Sequence, residues 1–497
     1  MTELSHRRRM VVLAICCLSL LIVSLDNTVL NVALPQMRRE LQGSVAGMQW
    51  TIDAYTLVMA TLLMLAGATG DRIGRRKVFV TGLGMFLLGS LLCSLAPSLG
   101  WLIAFRAVQA VGAAMLNPVA MSIIANTFTD PAERARAIGV WGGVAGISMA
   151  AGPLVGGVLV DSVGWRSIFW LNLPIGIVAL VLTLRFIPES RAPRPRRPDP
   201  VGQLLIMALL GSLTYGIIEA PEAGLRSGLV LGCAAVAVAA FAGLLVYEPR
   251  RAEPLIDPRF FRSAPFSGAV VIAVSAFAAL SGFLFLTTLY LQDVRGLDAL
   301  HAGLWMLPLA LMTCLIAPLS GRLVGSRGPR LPLVVAGIGM GTGSLLFAAF
   351  GAERYDGLML LAYVLFGVGF GMVNSPITNT AVSGMPRAQA GVAAAVAATS
   401  RQTGGTLGVA VIGAVLAAGL AGAGSAHAAA SGFPAAGFAD AARPAWWVIT
   451  CCGLIVLVVG IVSSGPWARR TAEETAKALE VPPPPPEPAP AGAPPHA

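Results

Sequence analysis

Long apolar runs at near-regular intervals decide what this chain of 497 residues can fold into. A helix needs about 20 apolar residues to cross the hydrocarbon core of a bilayer, and the sequence contains fourteen runs of about that size. Only 12% of the residues are charged and 56% are hydrophobic, so a water-soluble core of this size would lack a polar surface. The sequence therefore predicts an all-α, polytopic membrane protein with fourteen transmembrane helices. The predicted spans are residues 10–34, 50–69, 78–97, 100–124, 137–160, 166–187, 201–219, 228–247, 266–291, 302–321, 331–350, 357–380, 390–420 and 445–465.

The basic residues predict how these spans are oriented. With fourteen crossings, 25 of the 34 Lys and Arg residues fall on the side of the N-terminus and 7 on the opposite side, while Arg106 and Arg401 lie inside spans. Because cytoplasmic loops carry an excess of basic residues, both termini are predicted to be cytoplasmic and the protein to lie in the cell membrane. The same alternation accounts for the net charge of +10, and no aromatic and basic patch suggests nucleic acid as a partner.

Enzymatic and metal-binding classes find no support in the sequence. The seven cysteines lie in apolar runs without a C-x-x-C pair, and the four histidines are scattered over termini and loops. The two lysines, Lys77 and Lys477, are not part of the G-x4-G-K-[ST] motif of P-loop ATPases. We therefore expect no metal, no cofactor and no enzymatic activity.

Polar residues inside the predicted spans are the candidates for function, because an ionisable group at the centre of a transmembrane helix costs about 2.5–3.5 kcal/mol on insertion scales. Asp26 in span 1 and Arg106 in span 4 are predicted to act in proton coupling, and a structural ion pair is the alternative. Asp53 and Glu219, near the outer ends of spans 2 and 7, are further proton-coupling candidates, with placement at the interface as the alternative. Arg401 in span 13 could contact substrate or pack between the two halves of the protein. The predicted substrate cavity comprises Asn27, Asn31, Gln109, Asn117, Asn374 and Arg401.

A weak internal repeat divides the chain. Residues 321–330, after span 10, repeat the Gly and Arg spacing of residues 67–76, after span 2, and spans 4 and 12 share a Gly-x2-Met-x-Asn pattern. The offset of eight spans predicts two six-span halves separated by an extra pair, which is a 6+2+6 arrangement. The predicted units are an N-terminal half (1–190), linker loops with inserted helices 7 and 8 (191–262), a C-terminal half (263–466) and a disordered, Pro-rich cytoplasmic tail (467–497).

Two short motifs are more specific than the composition. Residues 67–77, between spans 2 and 3, follow the pattern G-x3-D-R-x-G-R-[RK], and residues 152–157, in span 5, follow G-P-x2-G-G. Small residues in span 5 allow close approach of another helix, and the proline favours a kink. Together with the segment around Asp26, these motifs resemble those of the fourteen-span drug:proton antiporters of the major facilitator superfamily, the EmrB/QacA type. The resemblance covers nearly the whole chain.

This resemblance implies the major facilitator fold and roles for both motifs. The loop is then a conformational switch that joins the cytoplasmic ends of the two halves in the outward-open state, and the span 5 segment is the antiporter motif. The switch residues carried over are Gly67, Asp71, Arg72, Gly74, Arg75 and Arg76. The antiporter residues carried over are Gly152, Pro153, Gly156 and Gly157.

The function implied by the resemblance is proton-coupled antiport that exports small, amphipathic, toxic molecules, such as drugs and antibiotics, across the cytoplasmic membrane. A proton-coupled transporter of one metabolite, for export or uptake, stays open as an alternative, and so does a membrane protein that transports nothing. The expected partners are a small-molecule substrate, protons and the lipid bilayer, and we expect a monomer to be functional. Span 13 lacks the acidic residues that some exporters of multivalent cations of this type carry, which argues against dicationic substrates.

Overall fold

The computed structural model describes residues 5–192, 199–251, 254–350, 356–383, 385–386, 389–422 and 435–479. Over these residues the chain is helical and contains no β-strand. Short 3-10 segments lie at Glu248–Arg250 and Pro258–Arg262, and a π-helical segment lies at Tyr290–Val294. The α-helices are α1 His6–Leu41, α2 Val45–Ile73, α3 Arg75–Ser94, α4 Leu99–Thr127, α5 Pro131–Ser162, α6 Ser167–Trp170, α7 Asn172–Phe186, α8 Pro200–Ala223, α9 Gly228–Tyr247, α10 Ala264–Leu289, α11 Ala299–Arg327, α12 Arg330–Phe350, α13 Asp356–Gly371, α14 Asn374–Val382, α15 Ala390–Gly422, α16 Ala435–Ser463 and α17 Pro466–Leu479.

Membrane-length helices account for nearly all of this structure. Among the described residues, thirteen segments are long and apolar enough to span a membrane, and the two arms of the bent helix α5 together make a possible fourteenth. The helix axis of α5 bends by 41° between its two arms, and this bend lies close to Pro153. Proline removes a backbone hydrogen bond and clashes with the preceding turn, which accounts for the bend. Each of the fourteen predicted runs overlaps one of these segments.

The first bundle comprises α1 to α7. Helix α1 packs against α5 and α7, and α4 packs against α2 and α3. The approach of α3 to α4 requires a small residue, because a Cβ atom on Gly112 would collide with the backbone of Phe86. Small residues therefore allow the helices of this bundle to pack closely around its centre.

The second bundle comprises α10 to α16. Helix α10 packs against α15 and α16, and α12 packs against α13 and α16. Its centre is filled by stacked or edge-to-face rings, which we call the aromatic cluster. The aromatic cluster comprises Phe283, Phe347, Tyr363, Phe366 and Trp446. The two bundles meet mainly along α5 and α11 and along α2 and α15.

The inserted helices α8 and α9 form a hairpin on the outside of the two bundles. Helix α8 packs against α2 of the first bundle and α15 of the second, whereas α9 packs mainly against α8. Gln203 Nε2 near the start of α8 donates a hydrogen bond to Thr61 O of α2. The hairpin therefore lies beside the junction between the bundles.

The chain continues as a helix after the last span, and the predicted disorder of the tail is wrong for residues 467–479. Helix α17 buries an apolar stripe that includes Ala468, Ala472 and Leu479 against α10 and the neighbouring 3-10 segment. Thr471 Oγ1 accepts a hydrogen bond at 3.0 Å from the backbone nitrogen of Ala264, at the start of α10. Tertiary packing therefore stabilises a short helix that its composition did not predict. The Pro-rich run lies outside the described residues.

Candidate functional site

A buried ion pair lies at the centre of the first bundle. Arg106 Nη1 in α4 donates a hydrogen bond to Asp26 Oδ2 in α1 at 2.6 Å. The two side chains are 0% and 2% exposed. Two of the intramembrane charges that the sequence singled out are therefore partners of each other. Taking two charges out of water is unfavourable unless further hydrogen bonds satisfy them. The groups around this pair therefore decide whether its burial is tolerated.

Three neutral side chains complete these hydrogen bonds. Asp26 Oδ1 accepts from Gln109 Nε2 and from Asn172 Nδ2, both at 2.9 Å. Ser90 Oγ accepts from the same two amides at 2.8 and 3.3 Å, and Gln109 Oε1 accepts from Arg106 Nη1 at 2.7 Å. We call Asp26, Ser90, Arg106, Gln109 and Asn172 the charge cluster. It joins α1, α3, α4 and α7 through one network.

Two members of the charge cluster were missed by the sequence analysis. Ser90 and Asn172 are neutral and short, and neutral polar residues inside a span carry no clear signal of function. Gln109, which was predicted to line the substrate cavity, forms hydrogen bonds with Asp26 and Arg106. The run W-R-S-I-F at residues 165–169, followed by Asn172, Pro174 and Gly176, also resembles the start of span 6 in the same family, and this pattern could have drawn attention to Asn172.

Helix α2 covers the other side of the guanidinium. Arg106 Nε donates a hydrogen bond to the backbone oxygen of Thr51 at 3.3 Å. The guanidinium carbon lies 4.1 Å from the centre of the Tyr55 ring, in cation–π contact. The ion pair is thus enclosed by polar and aromatic groups of α2 in addition to those of the charge cluster.

A cavity lies on the opposite face of α1, between the two bundles. Thr28 and Asn31 line it and are about 200° and 140° around the helix from Asp26, at 100° per residue. Helix α1 therefore carries the ion pair on one face and part of the cavity wall on the other. No charged residue is found among the described lining residues. The cavity is lined by Thr28, Asn31, Met149, Pro153, Leu280, Leu284, Met306, Leu309 and Ala310.

The first glycines of residues 152–157 permit α5 to lie directly on α1. A Cβ atom on Gly152 would collide with Thr28 Oγ1, the same hydroxyl-bearing side chain that lines the cavity. A Cβ atom on Gly156 would come within 3.1 Å of Val29 Cγ1. Any larger residue at Gly152 would therefore displace the cavity wall.

The other end of the same motif contacts the second bundle. A Cβ atom on Gly157 would approach the Leu300 Cα atom of α11 to 2.6 Å. The carbonyl of Pro153 lies so close to Gly303 of α11 that a side chain there would collide with it. The predicted antiporter motif thus lies where α5 touches α1 on one side and α11 on the other.

The predicted switch loop is bound to its own bundle in this structure. Arg75 Nη2 donates to Asp71 Oδ1 at 2.7 Å, and the backbone oxygen of Asp71 accepts from Ala192 N at 3.0 Å. The carboxylate of Glu189 accepts a hydrogen bond at 3.1 Å from the backbone nitrogen of Arg76, at the start of α3. Glu189 therefore anchors the loop, and no sequence motif had pointed to this residue.

The remaining switch residues lie at the end of α2. Gly74 has a backbone φ of 131° and lies directly against Glu189, so a side chain there would be strained and would collide with that carboxylate. Arg72 is exposed in the last turn of α2. A Cβ atom on Gly67 would lie 3.5 Å from Pro118, which is ordinary contact.

Asp53 is not near water, in contrast to its expected place at the outer end of span 2. Helix α2 begins at Val45 and packs against α15, which leaves Asp53 two turns inside the helix and 0% exposed. Its Oδ1 accepts from Thr56 Oγ1 at 3.4 Å, and Thr56 in turn accepts from Thr406 of α15 at 2.9 Å. Among the described residues no cation pairs with Asp53. It lies beside the contact between α2 and α15.

Glu219 is partly exposed and accepts a hydrogen bond from Trp50 Nε1 at 3.1 Å, between α8 and α2. The predicted cavity residues other than Asn31 lie outside the cavity described above. Asn27 offers its backbone oxygen to Asn31 Nδ2 at 3.0 Å, and Arg401 Nη1 donates to Thr378 Oγ1 at 3.3 Å.

Asn117 is half-buried in α4, and Asn374 begins α14. A role of these residues in substrate binding stays a prediction.

Known proteins with similar sequences and folds indicate the family of this chain. The family model described as Major Facilitator Superfamily matches residues 16–409. The chain is 38% identical over 416 residues to the Multidrug resistance protein Stp of Mycobacterium tuberculosis, covering 83% of this chain and 77% of that protein. It is 37% identical over 399 residues to the Tetracenomycin C resistance and export protein of Streptomyces glaucescens, covering 80% and 74%.

Among solved structures, the chain is similar to a bacterial homologue of the human lysosomal transporter Spinster in an inward-facing and unoccupied conformation. The TM-score is 0.68 at 19% sequence identity, with 95% of this chain and 99% of the other covered. This likeness concerns the fold.

The fold and the site define a multi-pass transporter of the membrane, with a buried polar network in one bundle and a cavity between two bundles. The chain belongs to the major facilitator superfamily. The predicted family resemblance is therefore confirmed, together with the absence of an enzymatic role and the location in the cytoplasmic membrane.

Proposed function

We propose that this chain exports small, apolar or amphipathic toxic molecules from the cell in exchange for protons. The observation that carries the proposal is the division of α1 into two faces, with the Asp26–Arg106 pair on one and an apolar cavity on the other. Relatives named for multidrug resistance and for tetracenomycin C resistance and export support the substrate class.

Protonation of Asp26 is the proposed trigger of the conformational change. A proton on Asp26 would leave the guanidinium of Arg106 buried without its counter-charge. Removing one partner of a buried ion pair is unfavourable by about 3–5 kcal/mol, which is enough to favour a new arrangement of α1 against α4. Since Thr28 of α1 packs on Gly152 of α5, movement of α1 would change the cavity.

Proton and substrate would therefore bind at separate sites that are coupled through α1. The cavity offers two polar side chains, Thr28 and Asn31, and no charge among its described lining residues. This favours apolar substrates with few hydrogen-bonding groups over dications. Each proton that enters gains about 2.3 kcal/mol per 100 mV of membrane potential, enough to concentrate a neutral substrate well over tenfold. Asn27, Asn117, Asn374 and Arg401 are proposed to contact substrate in other states of the cycle.

We also infer the finer topology. The asymmetry of basic residues and the two bundles support fourteen spans in a 6+2+6 order with both termini in the cytoplasm. The proposed units are residues 1–190, 191–262 and 263–466. Helix α1 then begins in the cytoplasm and ends outside. Contacts between the bundles at the outer end, such as Gly157 on Leu300, fit a state that is closed to the outside.

Asp53 and Glu219 are proposed as secondary proton sites. An ionised carboxylate without a cation beside it is very unfavourable when buried, so we propose that Asp53 holds a proton in this state. Its place beside the Thr56–Thr406 contact would link release of that proton to separation of α2 and α15. Glu219 would exchange protons from the outer surface.

The switch loop is proposed to control the rate of the conformational change and not the choice of substrate. In the outward-open state, Asp71 would exchange Arg75 for a partner in the second bundle. Asp71→Asn should therefore slow the export of chemically different substrates to a similar degree. Initial efflux rates of three unrelated dyes measure this, and slowing confined to one dye would contradict the proposal.

The experiment that tests the function as a whole is efflux from cells that express this chain. Accumulation of neutral and cationic dyes and antibiotics is compared with and without a protonophore. We expect lower accumulation of apolar substrates and its loss when the protonophore is added. Efflux that is unaffected by the protonophore would contradict proton coupling, and transport confined to one metabolite would favour the alternative of a dedicated transporter.

A further inference from the structure

Two carboxyl groups meet at the base of the inserted hairpin, where α8 begins and α9 ends. Asp199 precedes α8 and Glu248 follows α9, and both residues are 4% exposed. A Cβ atom on Gly202, in the first turn of α8, would lie 2.8 Å from Asp199 Oδ2 and 2.6 Å from Glu248 Oε1. The two oxygens therefore converge on one point, which is free because residue 202 has no side chain.

The other oxygen of each carboxyl group already has partners. Asp199 Oδ1 accepts hydrogen bonds at 3.0 Å from the backbone nitrogen of Gly202 and from the hydroxyl of Tyr247. Glu248 Oε2 accepts a hydrogen bond at 2.8 Å from the backbone nitrogen of Leu255, in the loop after the hairpin. Among the described residues no group donates to Asp199 Oδ2 or to Glu248 Oε1, although both atoms are buried. The two converging oxygens thus lack a donor.

The charges around the two acids do not compensate for two ionised carboxylates. Arg250 and Arg251, the cations nearest in sequence, are exposed, and the guanidinium carbon of Arg251 lies 5.6 Å from the centre of the Tyr247 ring. No cation in the described part of the chain forms an ion pair with either acid. Helices α2 and α15 also pack on α8, and the nearby contact with α2 is the neutral hydrogen bond from Gln203 to Thr61. Since two buried like charges at one place are very unfavourable, one carboxyl group must be neutral.

We propose that Asp199 and Glu248 bind one proton between them and form a further proton site, apart from the transport route. The proton lies on Glu248 Oε1, which donates a hydrogen bond to Asp199 Oδ2. Asp199 is the ionised partner because the Tyr247 hydroxyl, the Gly202 nitrogen and the positive end of the α8 dipole stabilise its charge. We call the two residues the carboxyl pair. Neither residue lines the cavity or belongs to the charge cluster.

The shared proton would hold the base of the hairpin together. It links the start of α8 to the end of α9 and, through Leu255, to the loop that leads to α10. Opening of this base would expose both acids to water, where carboxyl groups ionise at neutral pH, so opening releases the proton. The equilibrium constant for opening should therefore rise about tenfold per pH unit in the range where only the closed form is protonated. In the proposed orientation this site faces the cytoplasm, and an alkaline cytoplasm would loosen the hairpin from the two bundles.

Hydrogen–deuterium exchange measures this opening locally in the purified full chain in detergent. The backbone exchange of residues 199–205 and 244–251 is followed from mildly acidic to alkaline pH and corrected for the intrinsic, base-catalysed rate. We expect the corrected rate of the parent to rise about tenfold per pH unit, while residues 221–229, at the other end of the hairpin, show no such rise. Glu248→Gln carries an amide in place of the shared proton, so its corrected rate should stay at the low-pH rate of the parent.

A second variant and a matched control make the assignment specific. Asp199→Asn can donate its amide to Glu248 Oε1 while its carbonyl oxygen still accepts from Gly202, so it should also abolish the dependence on pH. Glu222 is an exposed acid at the other end of α8. Glu222→Gln should therefore retain the pH dependence of the parent.

Three results would overturn the carboxyl pair. A parent without pH dependence at residues 199–205 and 244–251 would show that opening releases no proton. Faster exchange of Glu248→Gln at every pH would show that a basic side chain, and not a proton, compensates the two acids. Protection that requires Mg²⁺ or Ca²⁺ and is lost with a chelator would indicate a metal site. Exchange in detergent requires no transport, so these results are independent of the efflux experiment that tests the proposed function.

Discussion

The centres of the two bundles are filled by side chains of different chemistry, polar and charged in the first bundle and aromatic in the second. In the first bundle, Asp26 is surrounded by the polar side chains of the charge cluster. In the second, Phe283 stacks on Phe366 at a centroid distance of 4.2 Å and meets Trp446 edge-on at 5.4 Å. Both centres join the first, fourth and last spans of their bundle.

The internal repeat allows the two centres to be compared residue by residue. The shared Gly-x2-Met-x-Asn pattern of spans 4 and 12 aligns Arg106 with Tyr363 and Gln109 with Phe366. Two polar members of the charge cluster therefore occupy the places that two rings occupy in the aromatic cluster. A buried ion pair can respond to a proton, whereas packed rings cannot. We infer that the first bundle senses protons and that the second serves as its rigid counterpart.

The largest expected effect is that of Asp26→Asn, because asparagine cannot bind the proton that the first bundle is proposed to sense. Efflux driven by an imposed pH gradient should fall to the level of vesicles without the protein. Everted vesicles with a fluorescent substrate measure this, and equilibrium binding of the substrate should persist because Asp26 does not line the cavity. Strong efflux by Asp26→Asn that a protonophore still abolishes would move the coupling site to Asp53 or Glu219.

In the second bundle, Phe283→Ala should reduce stability and leave coupling intact. Removing a fully buried ring from a packed core costs about 3–5 kcal/mol, which should appear as a lower unfolding temperature in detergent. The number of protons exchanged per substrate should not change. Phe241→Ala, whose ring is 53% exposed on α9, is the matched control and should unfold like the parent. An altered proton count at unchanged stability would contradict the assignment of roles to the bundles.

A smaller effect is expected of Asn172→Ala. Asn172 donates a hydrogen bond to Asp26, and hydrogen bonds to charged groups contribute about 1.5–3 kcal/mol, so proton-driven efflux should fall about tenfold. Asn126→Ala removes an exposed asparagine of α4 and should have no effect. Equal efflux rates for Asn172→Ala and Asn126→Ala would show that the hydrogen bond from Asn172 to Asp26 is not needed for coupling.

The smallest effect is expected of Tyr363→Phe, at the position that corresponds to Arg106. The ring contacts with Phe283 and Phe347, at centroid distances of 5.7 and 5.6 Å, are retained in this variant. Loss of the hydroxyl should change the free energy of unfolding by no more than about 1 kcal/mol. Efflux should therefore match the parent. A defect as large as that of Asp26→Asn would show that the second bundle also takes part in coupling.

The sequence singled out individual groups but gave little information about their partners. Asp26 and Arg106 stood out because charge is rare inside a span, and glycine-rich span 5 stood out by its motif. Ser90, Asn172 and Glu189 were missed since short polar residues and loop acids are common and give no signal alone. Asp53 was expected near water because its distance from the start of an apolar run gives depth in a helix but not the identity of the neighbouring helix.

By itself, the sequence determined the class of fold, because apolar runs of bilayer length must form helices that satisfy their own backbone hydrogen bonds. Its basic loops also predict the sidedness that we propose. Only the tertiary structure decided that Arg106 meets Asp26 and that α1 turns one face to this pair and another to a cavity. Such contacts depend on the rotation and depth of each helix, which are set by side-chain packing between distant segments and not by local sequence.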